Sequence, residues 1–273
     1  MVRRFASDRL EKEFKKKQEY EEKFAAYFLN LAGWGLQALE TEQSVTALRM
    51  VQLELPNFVG AQRWFFETKR IDECLALSFA LDPLLHRAGL WLTNVETASI
   101  ERKAAEHKDP KTIAQSSTSL GIAYASIGNW DKAEALYQEA LKIAREIGEK
   151  EGIARATYQL GIMEQRRGNL DGAEKLYQES LGIKKEMGDK LGTAITMGAL
   201  GRLYEERDLI EYALMNFLMA AYLFNQVGSP YEEAALRDAN RMVKRVTMER
   251  FKEMLKEETE EVRNYTKRRF PNL

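Results

Sequence analysis

Small and apolar residues return along the middle of this chain at two spacings at once. Locally they fall three and four residues apart, as on one face of a helix. At longer range the whole pattern repeats every 40 residues. Leu120-Gly121 recurs as Leu160-Gly161 and Leu200-Gly201, and Ala133 recurs as Ala173 and Ala213. Tyr137 recurs as Tyr177 and Phe217, Ala140 as Ser180 and Ala220, Gly148 as Gly188 and Gly228, and Ala154 as Ala194 and Ala234. A period of this size marks a solenoid, whose units stack because none can bury its apolar face alone.

Each unit reads as two helices. In 111–150 the first carries Ala114, Ser117, Leu120, Gly121 and Tyr124 at helical spacing, and Gly128-Asn129 interrupts it. Glycine suits the left-handed position after a helix, and asparagine can cap the next one. The second helix runs from about Trp130 to Ile147, with Ala133, Leu136, Tyr137, Ala140, Leu141 and Ala144 on one face. Residues 151–190 repeat the plan with Gly168-Asn169 at the turn, and 191–230 repeat it with Asp208-Leu209, a weaker turn. Gly121, Gly161 and Gly201 fall where the two helices of a unit must approach closely. Tyr137, Tyr177 and Phe217 are the large plugs of the core.

The order Leu120-Gly121, Tyr124, Gly128, Ala133, Tyr137, Ala140 resembles the tetratricopeptide repeat. The usual tryptophan position holds Ser117, Thr157 and Met197, the closing proline is missing, and the period matches a long-repeat subclass. The resemblance covers 111–230 and extends into a half repeat at 231–245. It implies an all-α, right-handed α-solenoid of helix–turn–helix repeats that binds partners and catalyses nothing. The organisation expected is an N-terminal helical subdomain (1–70), a degenerate unit (71–110), repeats at 111–150, 151–190 and 191–230, and a half repeat with a capping helix (231–273).

Outside the repeats the expectations are coarser. A first helix over roughly 7–32 should turn at Trp34-Gly35, and Pro56-Asn57 should open a helix through Lys69. Cys74 to Leu85 is helical in pattern with Pro83 as a kink site, and Leu92 to Glu106 follows the break at Ala88-Gly89. Residues 231–268 read as one long helix whose apolar stripe (Phe251, Leu255, Val262, Tyr265) suits a solubilising cap better than a dimerising coiled coil, because fewer than three clean heptads are present. Arg-Arg-Phe-Ala at 3–6, the apolar run 25–32 and a paired-helix segment leading into long repeats resemble the C-terminal sensor half of signal-transducing ATPases of the STAND class. A regulatory sensor lacking its nucleotide-binding half is therefore the alternative to a stand-alone scaffold.

Composition narrows the chemistry. Among 273 residues, 41 Lys and Arg balance 42 Asp and Glu, so net charge makes no electrostatic case for nucleic acid. No apolar run reaches the ~20 residues that span a bilayer, and no signal peptide opens the chain, so a cytoplasmic location is expected. The single cysteine, Cys74, reads as a buried reduced thiol. The two histidines, His86 and His107, lie in no ligand motif, and no phosphate-binding loop occurs, so neither a metal nor a nucleotide cofactor is implied.

Function must then come from shape. Alignment of the first helices points Gln115, Thr118, Ile122 and Ala125 into a groove, followed by Arg155, Tyr158, Ile162 and Gln165, then Ile195, Gly198, Arg202 and Glu205. Arg155, Tyr158 and Arg202 are the candidate anchors for a peptide or protein segment, since arginine and aromatic groups dominate interface energies. Of the residues that clamp carboxylates in chaperone-binding relatives only Arg202 is matched. The places of an asparagine ladder hold Ser119, Gln159 and Ala199.

Overall fold

The computed structural model describes residues 2–270, with side chains from Lys12 onward, so the side chains of the Arg3–Ala6 motif lie outside the described residues. Every regular element among them is an α-helix. The chain divides into two compact units, Met1–Ile143 and Ala144–Leu273.

The first unit contains α1 (Val2–Ala38), α2 (Ser44–Glu67), α3 (Ile71–Arg87), α4 (Trp91–Ala105), α5 (Pro110–Ser126) and most of α6 (Trp130–Glu146). Helices α1, α2 and α3 pack mutually around Phe28, Val51, Phe58, Phe65, Leu77 and Leu81. Two sequence expectations fail here. Trp34-Gly35 is no turn: α1 continues to Ala38, and Gly35 instead leaves room for Leu84, whose Cδ1 would lie 3.1 Å from an added Cβ. Pro56 does not open a helix but sits inside α2, whose preceding turns are held by the buried Ala47 and Val51. Within the aromatic cluster Phe65 is buried, while Trp64 donates from Nε1 to Glu21 at 3.3 Å and both rings lie beneath the Arg70 guanidinium. Cys74 is buried, which pushes its thiol pKa up to about 12. Asp109 caps α5 by accepting from the Thr112 N–H at 3.1 Å, with Pro110 in the first turn, where its missing donor is harmless.

The second unit holds α7 (Lys150–Arg166), α8 (Leu170–Glu186), α9 (Lys190–Glu206), α10 (Ile210–Gln226), α11 (Glu232–Val243), α12 (Met248–Lys256) and α13 (Glu260–Arg269). From α7 to α11 most helices pack on the one before them, as stacked helix pairs do. Close approach depends on the expected glycines: a Cβ at Gly161 would lie 2.7 Å from the Tyr177 ring, and one at Gly201 2.7 Å from the Phe217 ring. Gly168 turns with φ +79°, whereas Asp208 at the equivalent turn adopts φ +61° despite its side chain.

The single long helix expected over 231–268 is in fact three. Thr247 and Thr259 cap new helices, their hydroxyls accepting from the Arg250 and Val262 N–H groups at 3.2 and 3.4 Å. The breaks let Phe251, Leu255 and Tyr265 fold into the core of α9 and α10. That stripe is buried within the chain, which leaves no seam for a coiled-coil dimer.

Candidate functional site

Two depressions adjoin on one side of the second unit, built by the first helices of successive repeats. On α7, Tyr158, Ile162 and Gln165 fall at i, i+4 and i+7, so they share a face. With Tyr177 of α8 and Arg202 and Glu206 of α9 they line a cleft of about 420 Å³. On α9, Ile195, Gly198 and Arg202 share the equivalent face. With Phe217 and Phe224 of α10, Tyr231, and Ala234 and Asp238 of α11 they line a second cleft of about 320 Å³. Arg202 belongs to both.

The first cleft has a connected polar floor. The Tyr177 hydroxyl donates to Gln165 Oε1 at 3.0 Å, and Gln165 Nε2 donates to Glu206 Oε2 at 2.9 Å. The Tyr158 ring lies 5.7 Å from the Tyr177 ring, centroid to centroid, and Lys184 Nζ sits 4.7 Å from the Tyr158 centroid. Burial raises the pKa of both tyrosines, against a smaller lowering by the nearby Arg202 charge. Neither hydroxyl ionises near neutrality, and that of Tyr177 serves as a hydrogen-bond donor.

Lys184 is the least expected residue here. Only 8% of it is exposed, and its ammonium donates to Thr196 Oγ1 at 2.9 Å. Burial lowers its pKa to about 8, opposed by Asp189 and reinforced by the like charge of Arg155. Arg155 and Arg202 make no ion pair among the described residues, although their neighbours are paired: Arg207 with Asp171 and Glu174, and Arg241 with Glu205 and Asp238. Arg155 and Arg202 thus lack direct ion-pair partners on the side that carries both clefts, where Glu206, one turn after Arg202, supplies a carboxylate in the same lining.

The structure gathers some of the sequence-derived candidates and separates others. Tyr158, Ile162, Gln165 and Arg202 line one cleft. Arg155 lies half-buried one turn before Tyr158. Glu205 turns away to α11, accepting from Arg241 Nε at 2.9 Å and Nη2 at 2.6 Å, which holds its carboxyl below the usual range. In the first unit Gln115 is half-buried on α5. Thr118 is buried with its hydroxyl donating to the Ala114 carbonyl at 3.0 Å, so it presents nothing to a ligand, contrary to expectation. Sequence reasoning missed Lys184, Phe224, Tyr231 and Asp238. The signal for Lys184 was available in the register: positions 144, 184 and 224 hold Ala, Lys and Phe, and a charge aligned with two core residues is a buried one.

Among the described residues no group of three or more His, Cys, Asp or Glu is placed to hold a metal ion, and no helix is long and apolar enough to cross a membrane. His86 packs edge-on against Trp91 at 4.9 Å.

Comparison with known proteins bears on the fold. A family model described as tetratricopeptide repeat matches residues 112–186 and again 152–226. No curated protein matches the chain in sequence. Among solved structures, BtubC (BKLC) from P. vanneervenii is similar at TM-score 0.60 and 19% identity, over 72% of this chain and 84% of that one. The apo form of RapI aligns at TM-score 0.53 and 16% identity, over 85% of this chain and 73% of that one. The Rap conjugation gene regulator of plasmid pLS20, in complex with the Phr* peptide, aligns at TM-score 0.51 and 15% identity, over 90% and 76%.

Proposed function

We propose that this chain, whose residues 112–226 belong to the tetratricopeptide-repeat family, is a non-catalytic cytoplasmic scaffold that holds a peptide or protein segment along the face of α7, α9 and α11. The observation that carries this is Arg202: an arginine with no ion pair among the described residues, shared by two adjoining clefts with aromatic walls. Arginine and tyrosine are both enriched among the residues that anchor protein interfaces. A solved structure of similar fold, the pLS20 regulator, is itself bound to a peptide. Nothing in the clefts supplies a nucleophile with an adjacent base, and the polar chain from Tyr177 through Gln165 to Glu206 positions hydrogen bonds rather than moving protons.

Affinity capture from source-cell lysate tests the proposal, with wild type beside Tyr158→Ala/Arg202→Glu. Both side chains are solvent-facing in part, so helicity should be unchanged in the variant. A partner retained by wild type and lost by the variant is expected. Equal capture by both would remove the partner from this face.

A further inference from the structure

The 40-residue register makes one repeat a template for the other. Helices α7 and α9 begin and end 40 residues apart, and so do α8 and α10. Position 158 thus corresponds to 198, position 177 to 217, and position 184 to 224. At the first of these pairs the side chains differ completely: tyrosine in one repeat, glycine in the next.

In the α7–α8 pair the Tyr158 ring fills the space beside Tyr177 and Lys184, 5.7 Å from the former's ring centre and 4.7 Å from the latter's ammonium. In the α9–α10 pair the same space is open. A Cβ added to Gly198 would have only Arg202 Nη1 within 4 Å, at 3.9 Å. This contrasts with Gly201, three residues on, where the Phe217 ring leaves no room. The vacant space is the cleft of about 320 Å³, walled by Phe217 and Phe224, the counterparts of Tyr177 and Lys184. That volume is at the lower end for ligand pockets and suits a single side chain.

The surrounding charge selects among side chains. Apart from Arg202 and Asp238 the lining is aromatic or aliphatic, so an unpaired polar group packed against it would be costly. A lysine or arginine would find the aromatic faces attractive, but it would enter beside the Arg202 guanidinium, while Asp238, which also lines the cleft, is already engaged by Arg241 at 2.8 Å. The unpaired Arg202 calls instead for a carboxylate next to the entering group.

The geometry points to an aromatic residue of the bound segment, flanked by an acidic residue, whose ring packs on Phe217 over Gly198 as Tyr158 packs on Tyr177 one repeat earlier. The partner supplies the ring that the third repeat lacks. This inference rests on the scaffold reading above and adds the ligand's chemistry to it.

A random dodecapeptide display library, selected on immobilised full-length wild type and counter-screened on Gly198→Tyr, tests it. The introduced tyrosine should occupy the cleft from within. Gly198→Leu, a smaller plug, serves as second variant, and circular dichroism checks that each folds. Selected peptides should carry Trp, Phe or Tyr at one fixed position with Asp or Glu beside it, and should lose roughly thirtyfold in affinity, the scale of one aromatic anchor, on either variant. Peptides selected with Leu, Met or Lys at that position, or held equally by a folded variant, would overturn the inference while leaving the scaffold reading intact. Failure of wild type to select any peptide would overturn both.

Discussion

The α7–α8 and α9–α10 repeats share a register residue for residue, yet they present different surfaces. In the first, Tyr158 covers Tyr177 and Lys184, and the cleft floor is a chain of hydrogen bonds. In the second, Gly198 leaves Phe217 and Phe224 as walls of an apolar opening. The glycine–ring contacts that hold each pair together are the same in both, at Gly161–Tyr177 and Gly201–Phe217. Positions where the repeats agree build the scaffold. Positions where they disagree distinguish one stretch of the face from the next.

The sharpest way to break the comparison is to exchange its two kinds of glycine. Gly201→Val forces a side chain into the Phe217 ring, and overpacking of that sort costs roughly 2–3 kcal/mol. Gly198→Ala meets open space and improves helix propensity, a gain of about 0.5–1 kcal/mol. Urea denaturation of both variants should show midpoints moving in opposite directions. Movement in the same direction would mean that the two glycines do not play separate roles.

A second contrast is Lys184 against Phe224. The lysine's folded pKa of about 8 lies below its ordinary 10.5. Below pH 8 both folded and unfolded chains hold the proton, and burial of the charge is a constant penalty. Between pH 8 and 10.5 the unfolded chain holds a proton that the folded chain has released, so stability rises with pH through that window. The full effect is at most about 3 kcal/mol. Lys184→Met should be more stable than wild type at pH 7, by an amount that shrinks as pH rises from 8 to 10. Thermal melts at each pH check this, and parallel curves for the two proteins would contradict it.

The smallest contrast is at the turns. Asp208 pays for a left-handed backbone that Gly168 adopts freely. Asp208→Gly should stabilise by about 0.5–1 kcal/mol, less whatever the exposed pair with Arg245 contributes. A lower melting temperature for this variant would show that the pair outweighs the backbone.

The repeats were legible because their packing demands rare residues at fixed places: a glycine where rings press on a helix, and a ring where the glycine lies. The chain ends were less so. Thr247 and Thr259 are capping residues, but in so charged a stretch nothing local showed that helix breaks there would let Phe251 and Tyr265 reach the core. Pro56 and Gly35 look like punctuation in sequence and are overridden by burial of their neighbours. On the candidate face, helical spacing brought Tyr158, Ile162 and Gln165 together, but Glu205 was decided by Arg241, 36 residues away. Thr118 was decided by burial, which spacing alone does not report.

Site-specific photocrosslinking in the source cell tests the central claim most directly. Glu206→p-benzoylphenylalanine places the probe in the α7–α9 cleft, and Lys185→p-benzoylphenylalanine places it on an exposed position of α8 that lines neither cleft. A discrete crosslinked species from position 206 and none from 185 is the predicted result. Crosslinks from 185 alone would put the partner elsewhere and contradict the account.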